Sequence, residues 1–316
     1  MKKFAFLFCA VVAALFFTAC GSSPKGYSVV DGVIVFDAPA RAEGQHSVLR
    51  LTTDPMPVVR VGFIGLGMRG PGAVERFTYL DGVEIKALCD LYPERVDSAQ
   101  AILVRRGFPE AAPYSGEEGW KQLCERDDID LVYIVTPWQL HVPMAVYAME
   151  HGKHVFCEKP LGTNVAQCEE AEKVVEAHPE LVFQLGFMRR FDPSYAEAKR
   201  RVDAGEIGKV VLVRSCTQDP RSTIESTLKF LPHSGGQFLD MCVHDLDLIR
   251  WFTGSNIRNV WAIGGVFEFD LCRELHDTDN AAAMVQCENG AMGFLFANRT
   301  HAAGCNVETE IVGTHG

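Results

Sequence analysis

A lysine and an aspartate–histidine pair are the residues of this sequence best suited to acid–base chemistry. Lys159 follows a short apolar run, and Asp240 and His244 stand four residues apart much later in the chain. Histidine accepts protons near neutral pH, a neighbouring carboxylate orients it, and a lysine cation stabilises a developing alkoxide. The set predicts proton removal from a hydroxyl group, although such a pair on a helix is as often structural as catalytic.

The hydrophobic pattern predicts the elements that carry these side chains. Lys159 follows an apolar run at 154–157 that is typical of a buried strand. Asp240 and His244 fall within one long helical pattern at 236–252, and residues at i and i+4 share a helix face. We therefore expect Asp240 to orient His244 and to raise its basicity.

Two patterns divide the chain into domains. Between 59 and 192, short apolar runs alternate with helical stretches, which predicts a doubly wound parallel sheet of the Rossmann type. Residues 193–316 carry successive strand patterns with one covering helix. They predict an α+β domain with a mainly antiparallel open sheet. The predicted fold class is α/β, with the Rossmann domain first and the α+β domain second.

A glycine-rich turn follows the first strand of the Rossmann domain. Residues 65–70 read Gly-Leu-Gly-Met-Arg-Gly, which matches G-x-G-x-x-G between a strand and a helix. These glycines allow a tight turn and a close approach to a pyrophosphate at the helix N-terminus. Asp90 ends the next strand. A carboxylate at this position accepts hydrogen bonds from the ribose hydroxyls of NAD and repels the 2′-phosphate of NADP. The pattern predicts NAD, with Arg95 the one nearby arginine able to reach this site.

Further cofactor contacts are expected at the carboxyl ends of later strands, where ligands bind in such folds. The loop that starts at Thr136 follows the third strand and is expected near the nicotinamide ribose. Its His141 is equally compatible with a helix-start residue that has no chemistry. The predicted cofactor-binding residues are Gly65, Gly67, Met68, Arg69, Gly70, Asp90, Thr136, Pro137, His141, Glu158 and Lys159.

Composition excludes some classes of partner and site. The 316 residues are 47% hydrophobic with a formal net charge of −11, and no stretch is rich in lysine and arginine. This balance argues against a nucleic-acid partner. The cysteines lack the spacing of a zinc site, so we predict no metal and interpret most of them as small buried apolar residues.

The first twenty residues have the layout of a signal peptide. Two lysines precede an apolar run up to Phe17, and the following Thr-Ala-Cys-Gly resembles a bacterial lipoprotein box in which Cys20 is lipidated. Residues 21–58 are interpreted as a tether with a hairpin turning at Asp31-Gly32. We expect an exported protein, anchored in the periplasm or outer membrane by this lipid alone, or a cytoplasmic one if the leader is not used. Outside the cytoplasm the cofactor must be retained or recycled in place.

Five runs together resemble the Gfo/Idh/MocA oxidoreductases: GFIGLGMRG, TPWQLH, FCEKP, GFMRRFDPSY and GGQFLDMCVHDLDL. The resemblance extends from residue 60 to the end of the chain. In that family the E-K-P lysine contacts nicotinamide and substrate, and the D-x-x-x-H pair binds substrate and takes the hydroxyl proton. The resemblance assigns these catalytic roles to Lys159, Asp240 and His244. It also implies that a polyol site is bordered by Met188, Arg189 and Asp192, and from the sheet side by Asp279 and Asn280.

The two halves resemble different branches of this superfamily. The half from Cys157 onward is most similar to inositol 2-dehydrogenases. The leader and first half resemble exported NAD-dependent α-N-acetylgalactosaminidases, which keep NAD bound and hydrolyse glycosides through transient oxidation. That branch tends to lack the E-K-P lysine and to carry Y-P-T-H, whereas this sequence has E-K-P and no Y-P-T-H. The resemblance leaves open a natural mosaic or an assembly artefact.

The predicted function is therefore an NAD-dependent dehydrogenase acting on a CH–OH group of a cyclic polyol or sugar. An NAD-dependent glycosidase and a non-catalytic sugar-binding module are the alternatives. The resemblance also implies a homo-oligomer formed through the C-terminal sheet. Family members continue beyond the position of Gly316, so it implies that this sheet domain is incomplete.

Overall fold

The computed structural model describes residues 27–30, 33–36 and 53–316, which build two sheets. Predictions for the leader, for Cys20 and for the turn at Asp31-Gly32 lie outside the described residues. The strands are β1 Tyr27–Val30, β2 Val33–Phe36, β3 Val59–Ile64, β4 Val83–Asp90, β5 Ala112–Ser115, β6 Leu131–Ile134, β7 His154–Cys157, β8 Phe183–Leu185, β9 Val210–Pro220, β10 Ile257–Gly265, β11 Asn280–Cys287, β12 Met292–His301 and β13 Asn306–Gly313.

The helices connect and cover these strands. They are α1 Gly70–Phe77, α2 Pro93–Arg105, α3 Gly119–Cys124, α4 His141–Glu150, α5 Val165–Ala177, α6 Pro193–Asp203, α7 Ile224–Leu228, α8 Gln237–Asp240, α9 Val243–Thr253 and α10 Asp270–Glu274. Single 3₁₀ turns at Trp138–Leu140 and Met188–Phe191 follow two strands of the parallel sheet.

The parallel sheet has the order β5-β4-β3-β6-β7-β8. Its central strands are buried on both faces, as the apolar runs predicted. Val61 and Phe63 pack on the side of α1 and α2, whereas Ile64 and Val132 pack on the side of α3, α4 and α5. The predicted Rossmann domain is thus confirmed, and it brings the carboxyl ends of β3, β4, β6 and β7 to one edge.

The second sheet has the order β1-β2-β10-β11-β12-β9-β13. Its neighbours pair antiparallel except β9 and β12, which run parallel, so the prediction of a mainly antiparallel sheet is confirmed. Helix α9 covers one face, where Leu248 and Ile249 pack with Val285 and Leu295. The β1–β2 hairpin from the N-terminal extension joins this sheet, because β2 pairs with β10.

The long helix expected at 236–252 is wrong in one respect. The structure forms two helices, α8 and α9, with Met241 and Cys242 between them. In a continuous helix, the carbonyl of Asp240 would accept the amide of His244. Here that carbonyl accepts a hydrogen bond from Lys159 Nζ at 2.8 Å. The lysine therefore occupies the acceptor that would have continued the helix.

Candidate functional site

Lys159 links the edge of the parallel sheet to helix α8. It lies just beyond β7, and its Nζ is 2.8 Å from the carbonyl oxygen and 3.4 Å from Oδ1 of Asp240. Both side chains are largely buried, with 12% and 13% of their surface exposed. Burial lowers the pKa of Lys159, the Asp240 carboxylate opposes this effect, and Arg69 adds to it. A lysine with a lowered pKa gives up a proton more readily than one in water.

An aromatic wall stands beside this lysine. The Trp138 ring centroid is 5.6 Å from Lys159 Nζ, within the range of a cation–π interaction. The Phe230 ring meets Trp138 edge-on, with centroids 5.5 Å apart. Trp138 follows β6 and Phe230 precedes α8. Side chains from both halves of the chain therefore enclose the ammonium group.

Asp240 does not orient His244 as the sequence suggested. Its Oδ1 contacts Lys159, and its Oδ2 lies 3.4 Å from Nη2 of Arg299 on β12. His244 Nδ1 is buried without a hydrogen-bond partner. The helix break turns the two side chains to different neighbours, because the i to i+4 relation holds only within one continuous helix.

His244 is a buried neutral imidazole. Burial, together with the cations Lys159, Arg189 and Arg69, lowers its pKa to about 3. The expectation that Asp240 raises its basicity is therefore wrong for this structure. The Phe187 ring meets the imidazole edge-on at 6.1 Å. Near neutral pH the ring is neutral, so one of its two nitrogens carries no proton and can accept one from a hydroxyl placed beside it.

The glycine-rich turn fits a dinucleotide. Gly65 has φ +99°, and a Cβ there would lie 2.6 Å from the Val135 carbonyl oxygen. A Cβ at Gly70, the first residue of α1, would lie 2.3 Å from the Gly65 carbonyl oxygen. At Gly67, in contrast, a Cβ meets only the Arg95 side chain. Two glycines thus shape the turn, and the third leaves open space above the helix N-terminus, where a pyrophosphate binds.

Asp90 lies at the expected place, the end of β4. Its Oδ2 accepts the Leu66 amide at 2.7 Å, and its Oδ1 accepts the Tyr92 amide at 3.1 Å. Arg95 does reach this site, with Nη1 3.3 Å from Asp90 Oδ1, and it stacks on Tyr92. A carboxylate oxygen has two lone pairs, so Asp90 keeps acceptor capacity for ribose hydroxyls.

The remaining predicted cofactor residues divide into exposed and buried groups. Met68 and Arg69 project from the turn and are exposed, and Thr136 and Pro137 lie in the loop after β6. His141 is fully buried: its Nδ1 lies 2.7 Å from the Pro160 carbonyl oxygen and its Nε2 lies 2.9 Å from that of Thr136. The structure therefore gives His141 a role in joining these two loops instead of a direct cofactor contact.

Glu158 precedes Lys159 directly after β7. Its Oε1 accepts a hydrogen bond from the Tyr133 hydroxyl at 2.8 Å. Burial and this carboxylate both raise the pKa of Tyr133, so the phenol remains a donor. Tyr133 in turn stacks on Phe156, with ring centroids 4.7 Å apart. The carboxylate predicted to contact the cofactor is thus held in place from the sheet side.

The three predicted substrate residues lie together on one cavity. Met188, Arg189 and Asp192 line a cavity of about 820 Å³, whose other walls include Phe156 and Val307. Met188 is exposed, and Asp192 caps α6 by accepting the Ser194 amide at 2.8 Å. None of Lys159, Asp240 and His244 lines this cavity. Substrate contact by Met188, Arg189 and Asp192 therefore stays a prediction.

Arg189 in particular is engaged within the protein. Its Nη1 lies 2.8 Å from Asp245 Oδ1, and its Nη2 donates to Thr217 Oγ1 at 2.6 Å. Thr217 and Ser215 also donate to the Asp245 carboxylate. These contacts fasten the 3₁₀ turn after β8 to α9 and β9. Arg189 reaches the site chiefly through its charge, which lowers the pKa of His244.

Two residues that the sequence did not single out belong to the site. Arg299 pairs with Asp240 as described, and Asp219, at the end of β9, is half-buried. Burial and the charge of Asp240 raise the pKa of Asp219, while Lys159, Arg299 and Arg69 lower it, so these groups lie within electrostatic reach. Neither residue belongs to a motif, and only the pairing of β9 with β12 brings them together.

Within residues 53–316 and the short hairpin, no three His, Cys, Asp or Glu side chains are grouped so that they could hold a metal ion. The helices of the same described part are all too short or too polar to cross a membrane.

Two family models match the chain in succession. The model described as "Oxidoreductase family, NAD-binding Rossmann fold" matches residues 59–187, in agreement with the predicted cofactor. The model described as "GFO/IDH/MocA C-terminal domain" matches residues 195–316.

Known relatives reproduce the two resemblances seen in the sequence. "Glycosyl hydrolase family 109 protein 1" from Bacteroides fragilis is 66% identical over 123 residues, which is 39% of this chain and 26% of that relative. This chain therefore matches only about a quarter of the length of that relative. The scyllo-inositol 2-dehydrogenase (NAD(+)) of Bacillus subtilis is 35% identical over 264 residues, 82% of this chain and 72% of that protein.

A solved structure shares both domains. The scyllo-inositol dehydrogenase from Lactobacillus casei with bound NAD(H) and scyllo-inositol aligns with a TM-score of 0.74 and 38% identity. The alignment covers 82% of this chain and 75% of that one. With the two family models and the Bacillus subtilis relative, this likeness spans the parallel sheet, the glycine-rich turn and the second sheet. The chain belongs to the GFO/IDH/MocA family of oxidoreductases.

Proposed function

We propose that this protein oxidises a CH–OH group of a cyclic polyol or sugar with NAD as the hydride acceptor. The observation that carries the proposal is the contact between Lys159 and Asp240, with a neutral, unpartnered His244 within reach of the same charges. These groups stand at the carboxyl edge of the parallel sheet, beside a turn shaped for a dinucleotide. This is the place where ligands bind in doubly wound folds.

The side chains divide the work of proton handling. His244 is neutral near pH 7 and accepts the hydroxyl proton of the substrate on its imidazole ring. The Lys159 ammonium stabilises the developing alkoxide, and Asp240 holds that ammonium in place. NAD, when bound, supplies the hydride acceptor. The negative charge that develops on the substrate offsets the cations that keep the pKa of His244 low, so His244 becomes a stronger base as the proton leaves.

The polyol class is supported by chemistry and by likeness. Asp219 is a half-buried carboxylate near Lys159 and suits hydrogen bonds from neighbouring hydroxyls of a polyol. Trp138 offers a flat apolar surface beside the same lysine. Two relatives that align over 82% of this chain are named as inositol dehydrogenases. A compact ring carrying several hydroxyls therefore fits the site best.

The test is NADH formation from a panel that includes myo-inositol, scyllo-inositol and simple aldoses. At least one substrate should give polyol-dependent NADH absorbance, and His244→Ala should lower kcat by about 100- to 10,000-fold. His233→Ala is the matched control, because His233 is exposed and lies outside the site. The proposal fails if no substrate gives NADH, or if His244→Ala retains the wild-type rate.

A second candidate is a glycosidase that retains NAD. It is favoured by the 66% identity over 123 residues to a glycosyl hydrolase family 109 protein. An aryl α-N-acetylgalactosaminide should then release its phenol without net NADH. Phenol release that persists in Lys159→Ala would favour the glycosidase. Loss of both phenol release and NADH formation in that variant would favour the dehydrogenase. A protein that binds sugars with the same affinity after Lys159→Ala and turns none over would be a binding module.

We also propose that the protein is exported and attached to a membrane through a lipid on Cys20. The support is the order of lysines, apolar run, small residues and cysteine in the first twenty residues. In a bacterial host, fatty-acid label should enter the wild-type chain, and Cys20→Ser should abolish it and shift the protein to the soluble fraction. A wild-type chain that takes up no label would contradict the anchor.

A further inference from the structure

Arg299 is a buried arginine with no role assigned by the proposed reaction. It lies on β12, and only 2% of its side chain is exposed. Its Nη1 is 2.6 Å from Asp277 Oδ2 and 3.1 Å from the Thr278 carbonyl oxygen, and its Nη2 is 3.4 Å from Asp240 Oδ2. One guanidinium therefore bridges the loop before β11 and the carboxylate that holds Lys159.

Asp277 extends this bridge to the other end of α8. Its Oδ1 accepts the backbone amide of Gln237, the first residue of α8, at 2.8 Å, while its Oδ2 binds Arg299. Gln237 also accepts the Thr278 hydroxyl through its own side chain. Helix α8 is thus held at its start through Asp277 and at its end through Asp240, and Arg299 binds both.

Such a clamp is needed because α8 has only four residues. A helix of one turn has no stability of its own, since the nucleation term exceeds the gain from so few hydrogen bonds. It also follows two glycines, Gly235 and Gly236, which both adopt positive φ. The direction in which the Asp240 carboxylate points is therefore set by contacts outside the helix.

Arginine suits this task because its guanidinium is planar, remains charged at any working pH and binds two partners at once. Lys159 has a lowered pKa, so it loses its proton, and with it its positive charge, more readily than an ordinary lysine. Arg299 supplies a constant positive neighbour on the opposite oxygen of Asp240. We propose that Arg299 is a positioning residue that aims Asp240 at Lys159. This inference rests on the proposed dehydrogenase function only for its kinetic consequence.

The kinetic test compares Arg299→Met, Arg299→Lys and the control Arg273→Met. Arg273 is exposed on α10, just before the loop that leads to β11, and the hydrogen bond of its side chain goes to the Val266 carbonyl oxygen. Arg299→Met should lower kcat on the order of 100-fold with the KM for NAD unchanged, because a misplaced group costs about this much. Arg299→Lys should restore part of kcat, and Arg273→Met should match the wild type. A general folding defect would instead raise the KM for NAD and lower the melting temperature without rescue by lysine.

A second readout needs no activity. The side-chain amine of Lys159 is buried beside Asp240, so it should react slowly with an amine-labelling reagent in the wild type, and mass spectrometry of its peptide measures the rate. Arg299→Met should accelerate labelling of Lys159 several-fold, and Arg273→Met should not. If labelling and kcat both stay at wild-type values in folded Arg299→Met, the positioning role is overturned. If the wild type shows no dehydrogenase activity but the labelling rate changes as expected, the proposed function fails and the positioning role stands.

Discussion

Arg189 and Asp245 form a buried ion pair, with Nη1 and Oδ1 2.8 Å apart and 6% and 0% of the side chains exposed. The pair ties the end of the parallel sheet to α9, the helix that carries His244. Next to it, Arg190 binds Asp247 through two parallel hydrogen bonds of 2.8 and 2.7 Å. Two consecutive arginines therefore fix the distance between the cofactor edge and the helix of the proposed base.

Breaking the first of these pairs should destabilise the protein strongly. Arg189→Met leaves the Asp245 carboxylate buried and without its cation, for which a loss of about 3–5 kcal/mol in the free energy of unfolding is expected. Denaturant unfolding followed by circular dichroism measures it. Arg200→Met is the control, because Arg200 and its partner Glu197 are exposed and such pairs contribute little. Equal stability of Arg189→Met and Arg200→Met would contradict the structural role given to Arg189.

The glycine-rich turn separates a folding role from a binding role. Gly65→Ala places a Cβ 2.6 Å from the Val135 carbonyl oxygen at φ +99°, so it should lower the free energy of unfolding by roughly 1–3 kcal/mol. Gly67→Ala meets only the flexible Arg95 side chain and should leave stability unchanged. It should nevertheless weaken NAD binding, because the added methyl group enters the space of the pyrophosphate. Thermal melts and NAD titration of both variants decide this.

The sequence could predict the parallel sheet because its signals are local. Most strands of this sheet contain an apolar run, such as 61–64 and 131–135, and residues 65–70 carry their own turn chemistry. Strand β5 was not predicted, since it is short, contains Pro113 and lies at the sheet edge, where proline is tolerated. Local patterns thus recover the elements that are buried on both faces and miss the marginal one.

The site could be predicted in its residues but not in its contacts. Lys159 and Asp240 are 81 positions apart. The lysine donates a hydrogen bond to the Asp240 carbonyl, which in a continuous helix would accept the amide of His244. Met241 and Cys242 are apolar and buried, as they could be in a continuous helix, so the pattern alone gives no sign of the break. The partners of Asp240 depend on β12 and on the loop before β11. No spacing in the sequence encodes that arrangement.

We propose that copies of the chain meet through the face of the second sheet opposite α9, where Trp261 and Met284 are exposed among the described residues. On the face opposite α9, Trp261, Met284 and Phe294 lie side by side on neighbouring strands. Beyond them, Arg214 pairs with Glu310 at 2.9 Å. An apolar row that ends in charges is typical of a self-complementary interface.

Met284→Glu tests this contact, because Met284 is 53% exposed at the centre of the row. A buried, unpaired carboxylate opposes association, so the variant should sediment as a smaller species than the wild type. Leu80→Glu is the control, an equally exposed apolar residue on the Rossmann domain, where 52% of Leu80 is exposed. A wild type that sediments as a monomer at all concentrations would contradict the proposed interface.

His244 should make stability depend on pH. Its folded pKa of about 3 lies below the ordinary value of 6.5, so between these values the unfolded chain binds a proton that the folded chain does not. Stability is therefore fully present above pH 6.5 and falls as the pH drops towards 3, by about 1.4 kcal/mol per pH unit for one proton. His244→Gln removes the titration and should flatten this part of the curve. Denaturant unfolding at pH 7 and pH 5 measures the difference, with His233→Gln as the exposed control. If the wild type and His244→Gln lose the same stability between these two pH values, His244 is not held neutral by its surroundings.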